Sequence, residues 1–310
     1  MATKSELLVT AGSVREAEAL VKAGADAVSV GSSRYGVRVA GEMAAEQIGE
    51  AIKIVHSLGS KVYVLVNNIM SNGLLPELAD YIKQVADYGA DALVFGDPAV
   101  LIACRQAGVK LPLHWNAEMT TTNYASANYW AGKGATRAVL ARELNMEQVL
   151  EFKRHAALEV QVQVHGMTNI YHSKRPLVAN YFQHQGKESG QEKLGAERGL
   201  FVIEAERRDE KYPIFEDANG THMMSAEDIC MLESVHELIE GGIDSLRIEG
   251  LMKSLAYNEA VVRAYRTAID AYAADPAGYE FNPEWQEPIE ALQPADRPLS
   301  FGFFYKDQVY

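Results

Sequence analysis

Three short apolar segments of the chain carry a polar residue at every second position. In chain order, these polar residues are His114, Asn116, Glu118, Gln161, Gln163, His165, Ser245, Arg247 and Glu249. Buried parallel strands are usually apolar on both faces, and successive side chains point to opposite faces of a strand. We therefore expect each polar set to face one way, into a polar cavity. The alternative is that some of these groups pair with one another in a buried network.

Two histidines and two glutamates of these segments could act in catalysis: His114, Glu118, His165 and Glu249. Histidine titrates near neutral pH, so His165 and Glu249 together could move protons. The same residue types also bind zinc or iron. Because the four residues lie on three segments without an HxH or HExxH spacing, we predict no metal site.

Further polar residues come directly after other apolar runs or in the loops that follow them. Asn67, Asp97 and Arg142 follow such runs, and Arg34 and Arg38 lie in the loop after the second run. If the runs are barrel strands, their carboxyl ends are where chemistry takes place, and arginine there suits a carboxylate or phosphate. The alternatives are an ion pair of Arg142 with the next residue and a helix cap at Asp97. The substrate-binding residues predicted so far are Arg34, Arg38, Asn67, Asp97, Asn116, Arg142, Gln163 and Arg247.

Eight apolar runs alternate with helical patterns along the chain. The runs are residues 7–10, 27–30, 61–66, 92–95, 111–115, 137–141, 160–164 and 245–248. Strict alternation of strand and helix predicts a parallel sheet, and eight units favour an α/β fold of the closed (β/α)8 TIM type. A doubly wound sheet is the alternative, which the lack of a GxGxxG sequence after the first run disfavours.

The connection between the last two predicted strands is long. Residues 166–224 lack helical periodicity and contain a predicted strand pair, 200–204 and 212–215, followed by a turn at Asn219–Gly220. Long insertions on the active face of a barrel are usually functional. We therefore add the basic residues Lys174 and Arg175 to the predicted substrate-binding set.

Ser225 is predicted to begin a helix over residues 226–239, with Asp228 as the acid of a capping box. The C-terminal segment, residues 276–310, is rich in proline and acidic residues. We expect residues 1–275 to form the barrel, including the long insertion, and residues 276–310 to pack on it as a tail.

Composition disfavours several classes of protein. The net charge of -13 argues against a general nucleic-acid binder, because phosphate contacts need clustered lysine and arginine. Two cysteines, Cys104 and Cys230, cannot form a disulfide framework, so a reducing cytosol is the expected location. No apolar run approaches the ~18 residues of a membrane span. Both cysteines fall in predicted helices and there is no GxSxG sequence, so we predict no activated nucleophile.

The motifs of the chain resemble those of the collagenase-like peptidase U32 family. They are Gly24-Ala25-Asp26-Ala27-Val28, Asp97-Pro98-Ala99-Val100, Ala141-Arg142-Glu143-Leu144, His165-Gly166, Ser245-Leu246-Arg247-Ile248-Glu249-Gly250 and Met252-Lys253-Ser254. Their order and spacing match over nearly the whole chain. The resemblance implies a barrel protein. Despite the family's name, its better understood members act in hydroxylation of tRNA, of ribosomal RNA or in ubiquinone synthesis, and several hold a 4Fe-4S cluster on four cysteines.

The chain departs from the family at these cysteines. The family's first two follow the HG motif, where this chain has Asn169 and Pro176, and only Cys230 matches the fourth. One thiolate cannot hold a cluster that needs four, so we expect no cofactor in this chain. The closest resemblance is to short paralogues that occur beside a longer, cluster-bearing paralogue. Such a paralogue, or a second copy of this chain, is the expected partner.

The resemblance also implies a function. It points to a subunit for oxygen-independent 5-hydroxylation of the wobble uridine of tRNA, with prephenate as the suspected source of the hydroxyl group. Arg38, Arg142, His165, Glu249 and Lys253 match family motif positions, which adds Lys253 to the predicted substrate-binding residues. Two alternatives remain: a peptidase, as the family name says, and a non-catalytic scaffold that holds RNA or the active paralogue.

Overall fold

Eight parallel strands close into a barrel in the computed structural model, which describes residues 4–116, 120–186 and 194–307. The strands along the chain are β1 (Glu6–Thr10), β2 (Ala27–Gly31), β3 (Lys61–Val66), β4 (Ala92–Phe95), β5 (Leu113–Trp115), β6 (Ala135–Val139), β7 (Glu159–Ser173), β8 (Phe201–Ile203), β9 (Lys211–Asp217), β10 (Gly220–Cys230), β11 (Ser245–Glu249) and β12 (Leu299–Ser300). Strands β1 to β7 pair in sequence order, and β11 pairs in parallel with both β1 and β7. This closure confirms the predicted TIM-type barrel and excludes the doubly wound sheet.

Helices alternate with the barrel strands and cover the outside of the barrel. They are α1 (Val14–Ala23), α2 (Ala45–Ser57), α3 (Leu75–Asp87), α4 (Ala99–Ala107), α5 (Tyr124–Ala131), α6 (Met146–His155), α7 (Leu177–His184), α8 (Val235–Glu240), α9 (Leu255–Ala274) and α10 (Glu287–Glu290). Side chains cap the first turn of several of these helices. At the start of α9, for example, the Ser254 hydroxyl accepts a hydrogen bond from the backbone N–H of Tyr257. No helix in the described part of the chain has the length and apolar character needed to cross a membrane.

The apolar residues of the strands pack mainly outward, against the helices, in one continuous core. A much smaller apolar cluster fills the middle of the barrel, formed by Leu8, Ala27, Tyr63, Leu65, Ala92 and Val94. The barrel therefore has a solid centre, and polar side chains occupy the space towards its two ends.

At the amino-terminal end of the strands, polar side chains form a buried network around Glu6. The Glu6 carboxylate pairs with Arg137 (Nη1 to Oε1, 2.5 Å) and accepts hydrogen bonds from Tyr63 and Ser245. The Ser245 hydroxyl also lies 3.4 Å from Oε1 of Gln161. The buried-network alternative thus holds for the first polar residues of β7 and β11, which close the bottom of the barrel.

Strand β7 continues well beyond the barrel and carries an antiparallel extension at the mouth. Its second half pairs with β10, β10 pairs with β9, and β9 pairs with β8. The predicted strand pair and the turn at Asn219–Gly220 are confirmed, and Gly220 has the positive φ of 108° that suits glycine in such a turn. The segment also contains the short helix α7, which the sequence pattern did not predict.

The predicted helix over residues 226–239 was wrong in its first half. These residues continue β10 as far as Cys230, and only Val235–Glu240 is helical. Ser225 does not cap a helix: its hydroxyl accepts a hydrogen bond from the Thr168 backbone and donates to the Glu227 carbonyl. Pairing with β7 satisfies the backbone of β10, and this long-range pairing prevails over the local helical pattern.

Asp228 joins the C-terminal segment to the barrel through a buried ion cluster. Its carboxylate contacts Lys253, which lies just before α9. It also accepts hydrogen bonds from Nε and Nη2 of Arg297, at 3.0 and 2.8 Å. Next to this cluster, β12 pairs with β10, and the carbonyl of buried Phe304 accepts a hydrogen bond from Met146. One carboxylate therefore neutralises two buried cations from different parts of the chain.

Replacing Asp228 with alanine should destabilise the protein strongly, because Lys253 and Arg297 would remain buried without a counter-charge. Loss of one partner from a buried ion pair costs about 3 to 5 kcal/mol. Urea unfolding of Asp228→Ala measures the loss. The control is Asp296→Ala, which removes an exposed partner of Lys211 and should leave the unfolding midpoint unchanged. Equal midpoints for the two variants would contradict this role of Asp228.

Candidate functional site at the barrel mouth

A cavity of about 580 Å³ opens at the carboxyl ends of the barrel strands. We call it the mouth cavity. It is lined by Val37, Arg38, Asn67, Asn68, Ile69, Gly96, Asp97, Pro98, Asn116, Asn169, Tyr171 and His172. Its position is the one where TIM-type barrels bind their substrates, because loops and strand ends from all sides converge there.

A smaller and more enclosed space adjoins the mouth cavity, and we call it the inner pocket. It is lined by Val37, Arg38, Asn67, Asn116, Arg142, Gln163, Met167, Asn169, Met224, Arg247, Glu249 and Leu251. Five residues line both spaces, so the two share a wall. Eight of the predicted site residues therefore meet around one site: Arg38, Asn67, Asp97, Asn116, Arg142, Gln163, Arg247 and Glu249.

Three arginines make this site cationic. Arg38 lies 3.4 Å from Nδ1 of His222, Arg142 donates to the backbone carbonyl of Asn169 at 3.1 Å, and Arg247 pairs with Glu249 at 2.5 Å. Arg38 is buried and has a φ of 51°, a conformation that residues other than glycine rarely adopt. The surrounding structure holds this strained residue with its guanidinium at the site, a pattern found most often at functional positions.

The carboxylate of Glu249 is held by several donors. It accepts hydrogen bonds from the Thr10 hydroxyl at 3.0 Å and from the backbone of Leu251 at 3.2 Å, in addition to its contact with Arg247. These bonds fix the carboxylate and, through it, the Arg247 guanidinium. Glu249 thus orients the Arg247 guanidinium at the wall of the inner pocket.

Amide side chains form much of the remaining wall. Asn67 accepts from the Val37 backbone at 3.1 Å, and Gln163 donates to the carbonyl of Met167 at 2.9 Å. Oδ1 of Asn169 has no hydrogen-bond partner among the residues that the structure describes, although the residue is only 5% exposed. Asp97 also supports the wall, since its carboxylate accepts from the backbones of Met70 and Ala99.

His165 does not face the inside of the barrel, contrary to prediction. In the pairing of β7 with β11, Arg247 lies opposite Gln163 but Ile248 lies opposite His165, so β7 contains an extra residue at this point. Such a β-bulge reverses the alternation of side chains. The His165 ring is fully buried and lies 2.9 Å from the Tyr257 hydroxyl, against helix α9.

His114 does face the lumen, but it lies in the apolar middle of the barrel. Its ring packs edge-on against Tyr63, with ring centroids 4.6 Å apart. Burial, assisted by the nearby Arg137, keeps the pKa of His114 well below its ordinary value. His114 is not among the residues that line the mouth cavity or the inner pocket. Glu118, the fourth predicted catalytic residue, lies outside the described residues.

Four predicted substrate-binding residues line neither of the two cavities. Arg34 forms an exposed ion pair with Glu77, and Lys253 belongs to the buried cluster around Asp228. Lys174 is exposed and donates to the carbonyl of Ile69, which places it at the rim of the mouth cavity. Arg175 is exposed next to it. These four basic side chains thus lie at the rim of the mouth cavity, on the exposed surface or in the ion cluster around Asp228.

Sequence reasoning missed the part of the wall that β7 contributes beyond the barrel. Asn169, Tyr171 and His172 all line the mouth cavity. The sequence pattern ends this strand at residue 164, because residues 166–224 are assigned to the long connection. In the structure, Gly166 lies within the strand, where a Cβ atom would collide with the carbonyl of Glu249. A glycine within a strand that marks close backbone approach was the signal that could have extended the prediction.

The residues present do not fit a 4Fe-4S cluster of the kind that the family resemblance implies for several relatives. The two cysteines are buried on α4 and at the end of β10, and Asn169 and Pro176 stand at two of the family's cysteine positions. Among the described residues, no group of three or more His, Cys, Asp or Glu side chains could hold a metal ion.

Comparison with known proteins gives consistent results. Residues 12–309 match the family model described as peptidase family U32. Over 308 residues, 49% are identical to tRNA hydroxylation protein P2 of Bacillus subtilis (strain 168), with 99% of each chain covered. tRNA hydroxylation protein P1 of the same organism is 30% identical, and the match covers 99% of this chain but 74% of P1.

Among solved structures, the U32 peptidase Mk0906 has a similar fold. Its TM-score is 0.51 and its sequence identity is 16%, and the match covers 79% of this chain and 92% of Mk0906. At this identity the likeness concerns the fold alone.

Buried His165 should make folding stability depend on pH. Burial lowers the pKa of His165 to about 3, whereas unfolded histidine has a pKa of about 6.5. Below about pH 6.5 the unfolded chain binds a proton that the folded chain does not, so stability falls as the pH drops, by up to about 1.4 kcal/mol per pH unit from this group.

Urea unfolding of His165→Gln at pH 7, 6 and 5 tests this expectation. The variant should lose less stability on acidification than the wild-type protein, by about one proton's contribution. His184→Gln, at an exposed position of α7, serves as the control and should keep the wild-type slope. Identical slopes for all three proteins would rule out the proton linkage at His165.

Proposed function

This chain belongs to peptidase family U32, and on that premise we propose that it is a subunit of a system that hydroxylates carbon 5 of the wobble uridine in tRNA without molecular oxygen. The observation that carries the proposal is its end-to-end match to a tRNA hydroxylation protein, at 49% identity over 99% of both chains. The arginine-lined site at the barrel mouth is consistent with substrates that bear carboxylates or phosphates. We place the reaction in the cytoplasm.

We propose that the inner pocket, of about 20 Å³, receives a carboxylate of a small organic acid, such as prephenate, that supplies the hydroxyl group. The rest of the acid would lie in the adjoining mouth cavity. Arg247 and Arg142 lie on neighbouring sides of the pocket, and the Arg247 Nε has no hydrogen-bond partner among the described residues. A guanidinium whose other end is fixed by Glu249 is well prepared to bind a carboxylate. The amides of Asn116 and Gln163 would then face the polar groups of the same acid.

We infer that this chain works with a longer, cluster-bearing paralogue. Replacing the hydrogen on carbon 5 with a hydroxyl group removes two electrons from the base, and an electron acceptor is needed. The cysteines of this chain cannot hold a 4Fe-4S cluster, so we assign to the paralogue a cluster that would pass the two electrons, one at a time, to an external electron acceptor. P1 of Bacillus subtilis is an example of a longer relative, since the match covers only 74% of its length.

The overall charge of the chain also favours a partner. A net charge of -13 opposes the approach of tRNA, whereas the site itself is lined by three arginines. In the proposed complex the paralogue supplies most of the contacts to the RNA phosphates, and this chain supplies a pocket for the substrate groups.

Peptidase activity receives no comparable support. Burial raises the pKa of Cys230 to about 11 and also raises the pKa of Cys104, so neither thiol is prepared to act as a nucleophile. The family name refers to peptidases, but neither cysteine of this chain is a candidate nucleophile for peptide hydrolysis.

Complementation in a strain that lacks this gene and its paralogues, with the cluster-bearing paralogue restored, tests the proposal. Wild-type protein should restore 5-hydroxyuridine-derived nucleosides, measured by mass spectrometry of digested tRNA. Arg247→Ala should lower their amount at least about tenfold, because a charge-assisted contact to the acid is lost. Arg34→Ala removes only an exposed ion pair and should behave like wild type.

The outcomes separate three accounts. If wild type and Arg34→Ala restore the nucleosides but Arg247→Ala does not, the inner pocket takes part in the reaction. If all three restore them equally, the barrel acts as a scaffold. If wild type itself restores nothing, the hydroxylation proposal is wrong.

A further inference from the structure

We propose that Asn169 and His172 of β7 bind the target pyrimidine base in the mouth cavity, with His172 against its face and Asn169 at its edge. The inference rests on the proposed function, in which a tRNA uridine turned out of its stack enters this cavity. It assigns the recognition of the base to residues of the β7 extension, separate from the acid-binding arginines of the inner pocket.

The first observation is a column of three stacked rings that ends at the mouth cavity. The ring of Phe215 lies against His222 with centroids 4.8 Å apart and an interplanar angle of 25°. His222 lies against His172 with centroids 4.7 Å apart and an angle of 4°. His172 in turn lines the mouth cavity. A planar base that enters the cavity could therefore continue the column, as bases do on aromatic side chains of RNA-binding proteins.

Hydrogen bonds hold the rings of the column in place. Nε2 of His222 lies 3.0 Å from Oδ1 of Asp217, and its Nδ1 faces Arg38. Nε2 of His172 donates to the backbone carbonyl of Asn219 at 3.0 Å. Because both rings are fixed before a ligand arrives, little side-chain entropy is lost when a base stacks on them.

The second observation is the carboxamide of Asn169. This side chain is 5% exposed, lines both the mouth cavity and the inner pocket, and has an Oδ1 atom without a partner among the described residues. Buried polar atoms are nearly always hydrogen-bonded, so an unpartnered acceptor at a cavity wall indicates a ligand. A carboxamide offers an acceptor beside two donors. Uracil presents the complementary pattern, an N3–H donor between two carbonyl oxygens.

A second irregularity of β7 brings the two residues to the same cavity. Opposite β10, Tyr171 pairs with Met223 and Asn169 pairs with Met224, so Ile170 is an extra residue in β7. In a regular strand, residues three positions apart point to opposite faces. The bulge changes this alternation, and Asn169 and His172 both line the mouth cavity.

The arrangement of the whole site follows from these positions. The arginines of the inner pocket lie on β11, after β6 and in the loop after β2, whereas the base-binding residues lie on the β7 extension. Asn169 lines both spaces, so a base held at its carboxamide would lie beside an acid whose carboxylate reaches the inner pocket. Half-exposed Tyr171 stands next to His172 at the opening, where neighbouring nucleotides would pass.

Binding of two RNAs to the full chain in complex with its longer paralogue, at one salt concentration, tests the proposal. One is an anticodon stem-loop with uridine at the wobble position, and the other is the same RNA with an abasic residue there. The wild-type protein should bind the uridine RNA about tenfold more tightly, as expected for loss of one stacked base. His172→Ala should abolish this preference, His172→Phe should retain most of it, and Asn169→Ala should reduce it.

His184→Ala, at an exposed position outside the site, should keep the wild-type preference. The proposal is overturned if wild type does not distinguish the two RNAs, or if His172→Ala keeps the full preference while circular dichroism shows it folded. Failure of the proposed function looks different: tRNA hydroxylation would be unrestored by wild-type protein in cells, even where base-dependent binding in vitro persists.

Discussion

The close approach of Gly166 to strand β11 is the constraint on which the site depends. Gly166 pairs at once with Glu249 of the barrel and with Ile229 of the antiparallel extension, and it has a φ of 95°. Any side chain at this position would collide with the Glu249 carbonyl. The barrel and its extension are therefore joined through one strand without a flexible linker, which fixes the β7 residues beyond the barrel relative to Arg247 and Glu249.

The buried charges of the molecule fall into two groups, one with a structural role and one at the barrel mouth. The chain is acidic overall, and buried ion clusters around Glu6 and Asp228 have structural roles at the bottom of the barrel and under the C-terminal segment. At the mouth, Arg247 is oriented by Glu249 and Arg142 by the backbone carbonyl of Asn169. In the proposed function, this site binds small anionic groups, and a partner with a basic surface attracts the whole tRNA.

The sequence predicted the barrel well because its strands are short, apolar and separated by regular helices. The bounds of β3 and β4 match the predicted runs. Arg38, Asn67 and Arg247 line the inner pocket, as expected from the rule that barrels bind substrates at the carboxyl ends of their strands. The errors arise where pairing between distant segments overrides local pattern. Bulges in β7 turned His165 outward and brought His172 to the cavity, and a bulge depends on the partner strand, which periodicity along one segment cannot show.

Ultraviolet cross-linking of the anticodon stem-loop to this chain together with its longer paralogue tests the central claim most directly, that the barrel mouth receives the tRNA base. With mass spectrometry of the cross-linked peptides, we expect the wobble uridine to be attached to the β7 segment that contains Tyr171 and His172. Cross-links to the paralogue's residues should come from the flanking nucleotides. A wobble uridine attached only to the paralogue, or to the outer helices of this barrel, would contradict the account.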